Sequence, residues 1–130
     1  MIAIDTNVLV RLLVGDEPSQ ARRARRLVEK SEVFLCTSVL LETEWVLRSA
    51  YRFDADAISA AFRGLLGLPN VVPESAAALA QALDGYDAGL DFADALHLAS
   101  AHGASAFYTF DRRLLRSARG KRVPVEAVPE

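Results

Sequence analysis

The order of the apolar segments predicts an α/β fold built on a mainly parallel sheet covered on both faces. Three observations carry that prediction. Short β-prone runs alternate with segments of helical periodicity along the whole chain. No two of these runs are joined by a hairpin turn signal, so their connections read as βαβ crossovers. The size limits the fold to one domain over residues 1–130, because a chain of 130 residues with 52% apolar side chains suits a single core that buries roughly two-thirds of the unfolded surface. No internal repeat, low-complexity tract or Gly/Ser linker argues for a cut.

The first run, Ile2-Ala3-Ile4, ends at Asp5-Thr6-Asn7, residues that suit a strand end followed by a helix cap. A short helix follows over residues 8–14, and Gly15 stops it. Pro18, at a first-turn position, opens a second helix in which Ala21, Ala24, Leu27 and Val28 recur at helical intervals. Residues 33–37 read as a buried strand that includes Cys36, and Ser38 is the expected cap of a helix running through Leu40, Trp45 and Leu47 to about Tyr51. Asp54 opens DADAISAAFRGLLG, whose Ile58, Ala61, Phe62, Leu65 and Leu66 form an apolar stripe before Gly67 and Pro69 end it. Residues 70–72 are a brief strand. The alanine-rich segment 75–83 is helical by propensity, with Gly85 and Gly89 expected to break it, and Asp91 starts another helix with its expected cap at Gly103. A strand over 106–109, a short basic helix to Arg119 and a final strand near 123–128 complete the chain.

Seventeen acids against fifteen bases leave a formal charge of −2, which excludes a polybasic nucleic-acid coat and an acidic solvating tail. A charged ligand must therefore meet a local patch. The single cysteine allows no intrachain disulfide and favours the reducing cytoplasm. MIAIDTN carries no basic n-region, and the apolar stretch behind it is broken by Arg11, so no secretory signal is expected. No window approaches the roughly 18 to 20 apolar residues of a membrane span. The expectation is a soluble, cytoplasmic protein.

Ligands of open parallel sheets bind beyond the carboxyl ends of the strands, so acids at strand-to-helix junctions stand out. Asp5 ends the first strand, Asp111 ends the fourth, and Asp94 lies in the first turn of a helix entered from a Gly-rich loop. Glu42, in the helix after the second strand, points near the same edge. Taken singly, Asp5 and Asp111 read equally as caps of the helices they precede, and Asp91 with Asp94 as an N-cap and a first-turn acid. Periodicity does not choose between Glu42 and Glu44, because their helix is apolar nearly all round. Taken together the acids mean more. Carboxylates about 4 Å apart repel by roughly 4 kcal/mol per pair at an effective dielectric near 20, so such a cluster stays ionised only around a cation. Oxygen donors of this kind select Mg²⁺ or Mn²⁺, which activates water and neutralises a leaving oxygen in phosphodiester hydrolysis.

Four blocks of the sequence also resemble those of a known family. MIAIDTNVLVRLL resembles the opening strand and DTN motif of PIN-domain ribonucleases, and more narrowly of the VapC-type toxins of bacterial toxin–antitoxin pairs. SVLLETEWVL is similar to their second acidic helix, DFADALHLA to their third motif and YTFDRRL to their fourth, in order and over essentially the whole chain. The resemblance implies a three-layer α/β/α sandwich with about five strands. It implies that Asp5, Glu42, Asp94 and Asp111 are the catalytic, metal-binding quartet, with Glu42 rather than Glu44 on the acidic position. Thr6 and Asn7 are implied as supporting groups, and Thr109 as the hydroxyl residue ahead of the last acid. The implied activity is a Mg²⁺- or Mn²⁺-dependent endoribonuclease that acts as a toxin, forms a homodimer and is inhibited by a VapB-type antitoxin. The alternative within the family is a nuclease of RNA processing without an antitoxin.

Arginines outnumber lysines thirteen to two. Arg22, Arg23, Arg25 and Arg26 read either as a solvated helix face or as phosphate contacts. Arg112, Arg113, Arg116, Arg119, Lys121 and Arg122 follow Asp111 with no acid among them, where an RNA backbone can lie while its scissile phosphate reaches the metal. His97, three residues after Asp94, reads as packing or as a contact to that acid. His97 and His102 are five apart, the wrong spacing for paired helical zinc ligands, and no cysteine pair supports zinc. Trp45, Tyr51, Phe53 and Phe62 read as core or subunit contact before base stacking. A phospho-acceptor receiver module is disfavoured, because no Asp closely follows the second strand and the lysines are confined to Lys30 and Lys121. A DxDxT phosphatase fails because the motif is DTN.

Overall fold

The computed structural model describes residues 1–118 and 123–130. Among them are five strands and seven helices, in an order that alternates as the α/β class requires: β1 (Ile2–Ala3), α1 (Thr6–Val14), α2 (Pro18–Glu29), β2 (Val33–Leu35), α3 (Thr37–Ser49), α4 (Ala55–Leu66), β3 (Val71–Pro73), α5 (Ala76–Asp87), α6 (Phe92–Ser100), β4 (Phe107–Thr109), α7 (Arg112–Ser117) and β5 (Val125–Ala127). The chain divides into two compact units, Met1–Ala76 and Ala77–Glu130. Every strand pair is parallel, as expected. Among the described residues the pairing forms two ladders, β1-β2-β3 in the first unit and β4-β5 in the second. The α/β class and the number of strands, about five, are as expected. These strands are only two or three residues long, so each ladder holds few hydrogen bonds.

In the first unit Val33 pairs with Ile2 on one side and Val71 on the other, and Val33 and Leu35 are buried. The Asn70 amide donates to the carbonyls of Val28 at 2.7 Å and Ser31 at 3.0 Å, fastening the end of α2 to the start of β3. Helix α1 packs on both α2 and α3. Its start is set by Asp5, whose carboxylate accepts from the Val8 N–H at 3.0 Å, and its end by Gly15 in the left-handed region at φ +72°. Leu9, Leu40, Leu47, Ile58 and Phe62, all at 2% exposure or less, form the apolar interior of this unit.

Ser38 does not cap α3. The helix begins two residues earlier, at Thr37, with half-buried Cys36 at the cap position rather than in the strand. Cys36 makes no side-chain cap bond, and Glu74 instead accepts from the Thr37 N–H at 3.1 Å. A residue after β3 thus satisfies an orphan donor of the helix after β2. Asp54 caps α4 as expected, accepting from Ala57 N–H at 2.8 Å.

In the second unit Phe92, Ala82 and Leu83 are fully buried, and Tyr86 meets Phe92 edge to face at 5.2 Å between ring centroids. Gly85 does not break α5; it lies buried inside a helix that continues to Asp87. A glycine costs a helix about 1 kcal/mol relative to alanine, too little to stop a segment this rich in alanine. Gly89, at φ +104°, makes the turn instead. Helix α6 is capped at its C-terminus by Ala101, two residues before the expected Gly103. Arg119, Lys121 and Arg122 lie outside the described residues. No helix among the described residues is long and apolar enough to cross a membrane.

Candidate functional site

Parallel strands carry the chain toward one edge of each ladder, and β1 and β4 each lead there to an aspartate, Asp5 and Asp111. In the first unit β1 delivers Asp5 to the start of α1. One oxygen of Asp5, Oδ1, accepts from the Val8 N–H, and Oδ2 has no hydrogen bond among the described residues. Glu42, exposed on α3, accepts through Oε1 from the Thr6 hydroxyl in a short hydrogen bond. Asp5, Thr6 and Glu42 share a cleft of about 520 Å³ between α1 and α3, with Asn7, Arg11 and Tyr51 also in its wall. Glu44, the acid that periodicity left as a rival, is 2% exposed and paired with Arg48 on its own helix at 2.9 Å. Glu42 is the one that faces the cleft.

The second unit repeats the pattern with less relief. Asp111 caps α7, its Oδ1 accepting from the N–H groups of Arg113 at 2.8 Å and Leu114 at 3.3 Å. The Thr109 hydroxyl accepts from the Asp111 N–H at 2.9 Å, which positions the acid from behind. Asp91 caps α6, accepting from the Asp94 N–H at 3.2 Å. The Asp94 carboxylate itself has no hydrogen bond among the described residues. Its pKa is pushed above the ordinary carboxylate value, first by burial and then by the negative charges of Asp91 and Asp111, with His97 pulling the other way. His97 is exposed, so it is not a packing residue.

Capping and ligation, alternatives in the sequence, are therefore compatible here. Asp5 and Asp111 each use one oxygen on a helix start and leave the other unbonded among the described residues. The donors are hard carboxylate oxygens without cysteine or a paired histidine, a set that fits Mg²⁺ or Mn²⁺ rather than zinc. Among the described residues no three His, Cys, Asp or Glu side chains are placed to hold a metal ion together. The structure thus brings Asp5 to Glu42 within one unit, and Asp94 under the influence of Asp111 within the other.

Of the basic residues after Asp111, Arg112, Arg113 and Arg116 lie exposed on α7. Phe62 is core and Tyr51 lines the acid cleft, whereas Trp45 is 59% exposed and belongs to no core. Arg11 is the residue that sequence reasoning passed over. Its Nε donates to Gln20 at 2.8 Å, and its Nη1 donates to Asp16 and to the Tyr51 hydroxyl, each at 3.1 Å. Tyr51 in turn donates to Asp16 at 3.0 Å, closing a ring of bonds. The Tyr51 hydroxyl foremost, and then Asp16, raise the pKa of the Arg11 guanidinium. The signal was present: Arg11 interrupts the apolar run VLVRLLV, which a cation does only when something polar awaits it.

A comparison with curated proteins finds no match. The PIN domain family model matches residues 2–120, a span that contains Asp5, Glu42, Asp94 and Asp111. With nearly the whole chain matched, and with acids standing behind the first and fourth strands, this protein belongs to the PIN domain family of nucleases.

Proposed function

We propose that this protein is a divalent-metal-dependent endoribonuclease acting as the toxin of a VapBC-type toxin–antitoxin pair. The observation that carries the reading is a set of acids, Asp5 and Asp111 behind strands and Glu42 and Asp94 on helices, each with at least one oxygen that has no hydrogen bond among the described residues. Asp5, Glu42, Asp94 and Asp111 are the residues that would hold the cation, in a chain read as a single domain over residues 1–130. When bound, Mg²⁺ or Mn²⁺ supplies a water of lowered pKa and charge compensation for the leaving oxygen.

The chain's own residues do the rest. The Thr6 hydroxyl orients Glu42, the Val8 N–H orients Asp5, and Thr109 with the first turn of α7 orients Asp111. Rigid placement on strand ends and helix starts leaves little to reorganise as charge develops. Arg112, Arg113 and Arg116 hold the RNA backbone as phosphate contacts. No side chain of the site is a covalent nucleophile, so hydrolysis is a direct displacement by water.

The chain acts as a homodimer in the cytoplasm, held in check by a VapB-type antitoxin. The test is to incubate wild-type protein and Asp5→Asn with mixed RNA in Mg²⁺ or in EDTA. Cleavage by wild type in Mg²⁺ alone is expected, and equal cutting in every lane removes the reading. Growth arrest on expression, relieved by the neighbouring reading frame, tests the toxin role separately. Light scattering tests the dimer.

A further inference from the structure

A second cleft, of about 470 Å³, opens between α1 and α2 on the other side of the residues that line the acid cleft. Asp5, Asn7 and Arg11 belong to the walls of both. The chemistry of the two differs. The first holds Asp5 and Glu42, whereas the second adds the polar Arg23 and Gln20 and the apolar Val8, Ala24 and Leu27.

Arg11 is fixed in this wall before any ligand arrives. Its Nε and Nη1 are committed to Gln20, Asp16 and Tyr51, and its Nη2 donates to nothing among the described residues. A guanidinium held from one edge with its other edge open is preorganised for an oxyanion, because the entropy of ordering the side chain is already spent on internal bonds. Arg23 is exposed and has no hydrogen-bond or ion-pair partner among the described residues, and Leu27, 42% exposed, supplies an apolar surface in the same wall.

An RNA strand in the acid cleft carries a further phosphate on each side of the one that is cut. The adjoining cleft, which shares Asp5, offers cations for that phosphate and an apolar wall for a base. We propose that the α1–α2 cleft binds the nucleotide next to the scissile bond, with its phosphate on Arg11 and Arg23 and its base against Val8 and Leu27. This rests on the nuclease reading above, deepens it, and places substrate contacts on a helix distant in sequence from the basic residues of α7.

The test reads binding apart from cleavage. Anisotropy of a short fluorescein-labelled single-stranded RNA is measured in EDTA, across a salt series, for wild type, Arg23→Gln, Arg11→Lys and the control Arg26→Gln, a residue outside the cleft. Arg23→Gln touches no internal bond, so it keeps the test sound if Arg11→Lys loosens the Tyr51–Asp16 ring. We expect each cleft variant to weaken binding several-fold and to flatten the salt dependence by about 0.7 in log–log slope, the value of one lost phosphate contact. Arg26→Gln is expected to match wild type.

Wild-type affinity and slope in Arg23→Gln overturn the proposal. So does a variant that keeps RNA binding but loses binding of labelled oligoglutamate, since the cleft then serves an acidic protein partner. Cleavage in Mg²⁺ is scored in parallel. If wild type cuts nothing while Arg23→Gln still loses RNA, the nuclease reading fails and the nucleotide site stands.

Discussion

In the first unit each candidate acid has a donor to lean on, and in the second one acid has none. Asp5 is held by a backbone N–H and Glu42 by the Thr6 hydroxyl, whereas the Asp94 carboxylate has no hydrogen bond among the described residues and feels the charges of Asp91 and Asp111. Carboxylates of the two units thus differ in whether a protein donor meets them. A carboxylate among others of its own charge is the place where a cation gives most relief.

The largest expected effect treats both halves as indispensable. Asp5→Asn, Glu42→Gln, Asp94→Asn and Asp111→Asn should each lower RNA cleavage about a thousandfold, equivalent to about 4 kcal/mol of barrier. If only the variants of one unit lose activity in an Mg²⁺-dependent cleavage assay, the acids of the other take no part in cleavage.

Core truncation compares the units by stability. Phe62 in α4 and Phe92 in α6 are both at 0% exposure. Phe62→Ala and Phe92→Ala should each cost about 3 to 5 kcal/mol in urea unfolding, from lost transfer energy and the cavity left behind. A cost near zero at either position denies that unit a packed core.

Next come the hydroxyls behind the acids. Thr6 bonds the Glu42 carboxylate itself, whereas Thr109 reaches Asp111 only through its backbone N–H, and that carboxylate has further support from Arg113 and Leu114. Thr6→Val should lower kcat about 10- to 100-fold, the range for a lost supporting bond at a metal ligand, with Thr6→Ser restoring most of it. Thr109→Val should cost less. Equal losses, or no rescue by serine, contradict the asymmetry.

What was legible in the sequence and what was not follow the range of the forces involved. Asp5, Asp54, Asp91 and Asp111 were readable because a cap acts over three residues, and each caps as its spacing indicates. Ser38 misled because the α3 start is satisfied by Glu74, 37 positions away, and no local rule reaches that far. Glu42 and Glu44 were indistinguishable by period, since burial of Glu44 depends on what packs against α3. Gly85 misled because propensity is weak beside packing, and the residue is buried in its helix. Arg11 was visible as an interruption, but its bonds to Asp16, Gln20 and Tyr51 join separate parts of the chain and are a tertiary fact. The split into two ladders was equally out of reach, because strand composition says nothing of where pairing stops.

The smallest effect is the sharpest test of the contrast between the units, and it is read in stability rather than activity. Asp94 has its pKa raised above 3.8, so its folded state binds a proton more tightly than its unfolded state. Stability then falls as pH rises from the unfolded value through the folded one, and above the folded value the whole cost is present. Asp94→Asn removes the charge and should raise the melting temperature at neutral pH. The gain should shrink as pH falls through the folded pKa and vanish below 3.8. Asp5→Asn should leave the melting temperature at neutral pH nearly unchanged, since asparagine caps a helix about as well as aspartate. Mg²⁺ inverts the order: it should stabilise wild type by mass action and leave Asp94→Asn behind. A variant at Asp94 no more stable than wild type at neutral pH, or one whose advantage grows on acidification, shows that its neighbours do not oppose its charge, and the electrostatic half of the metal argument goes with it.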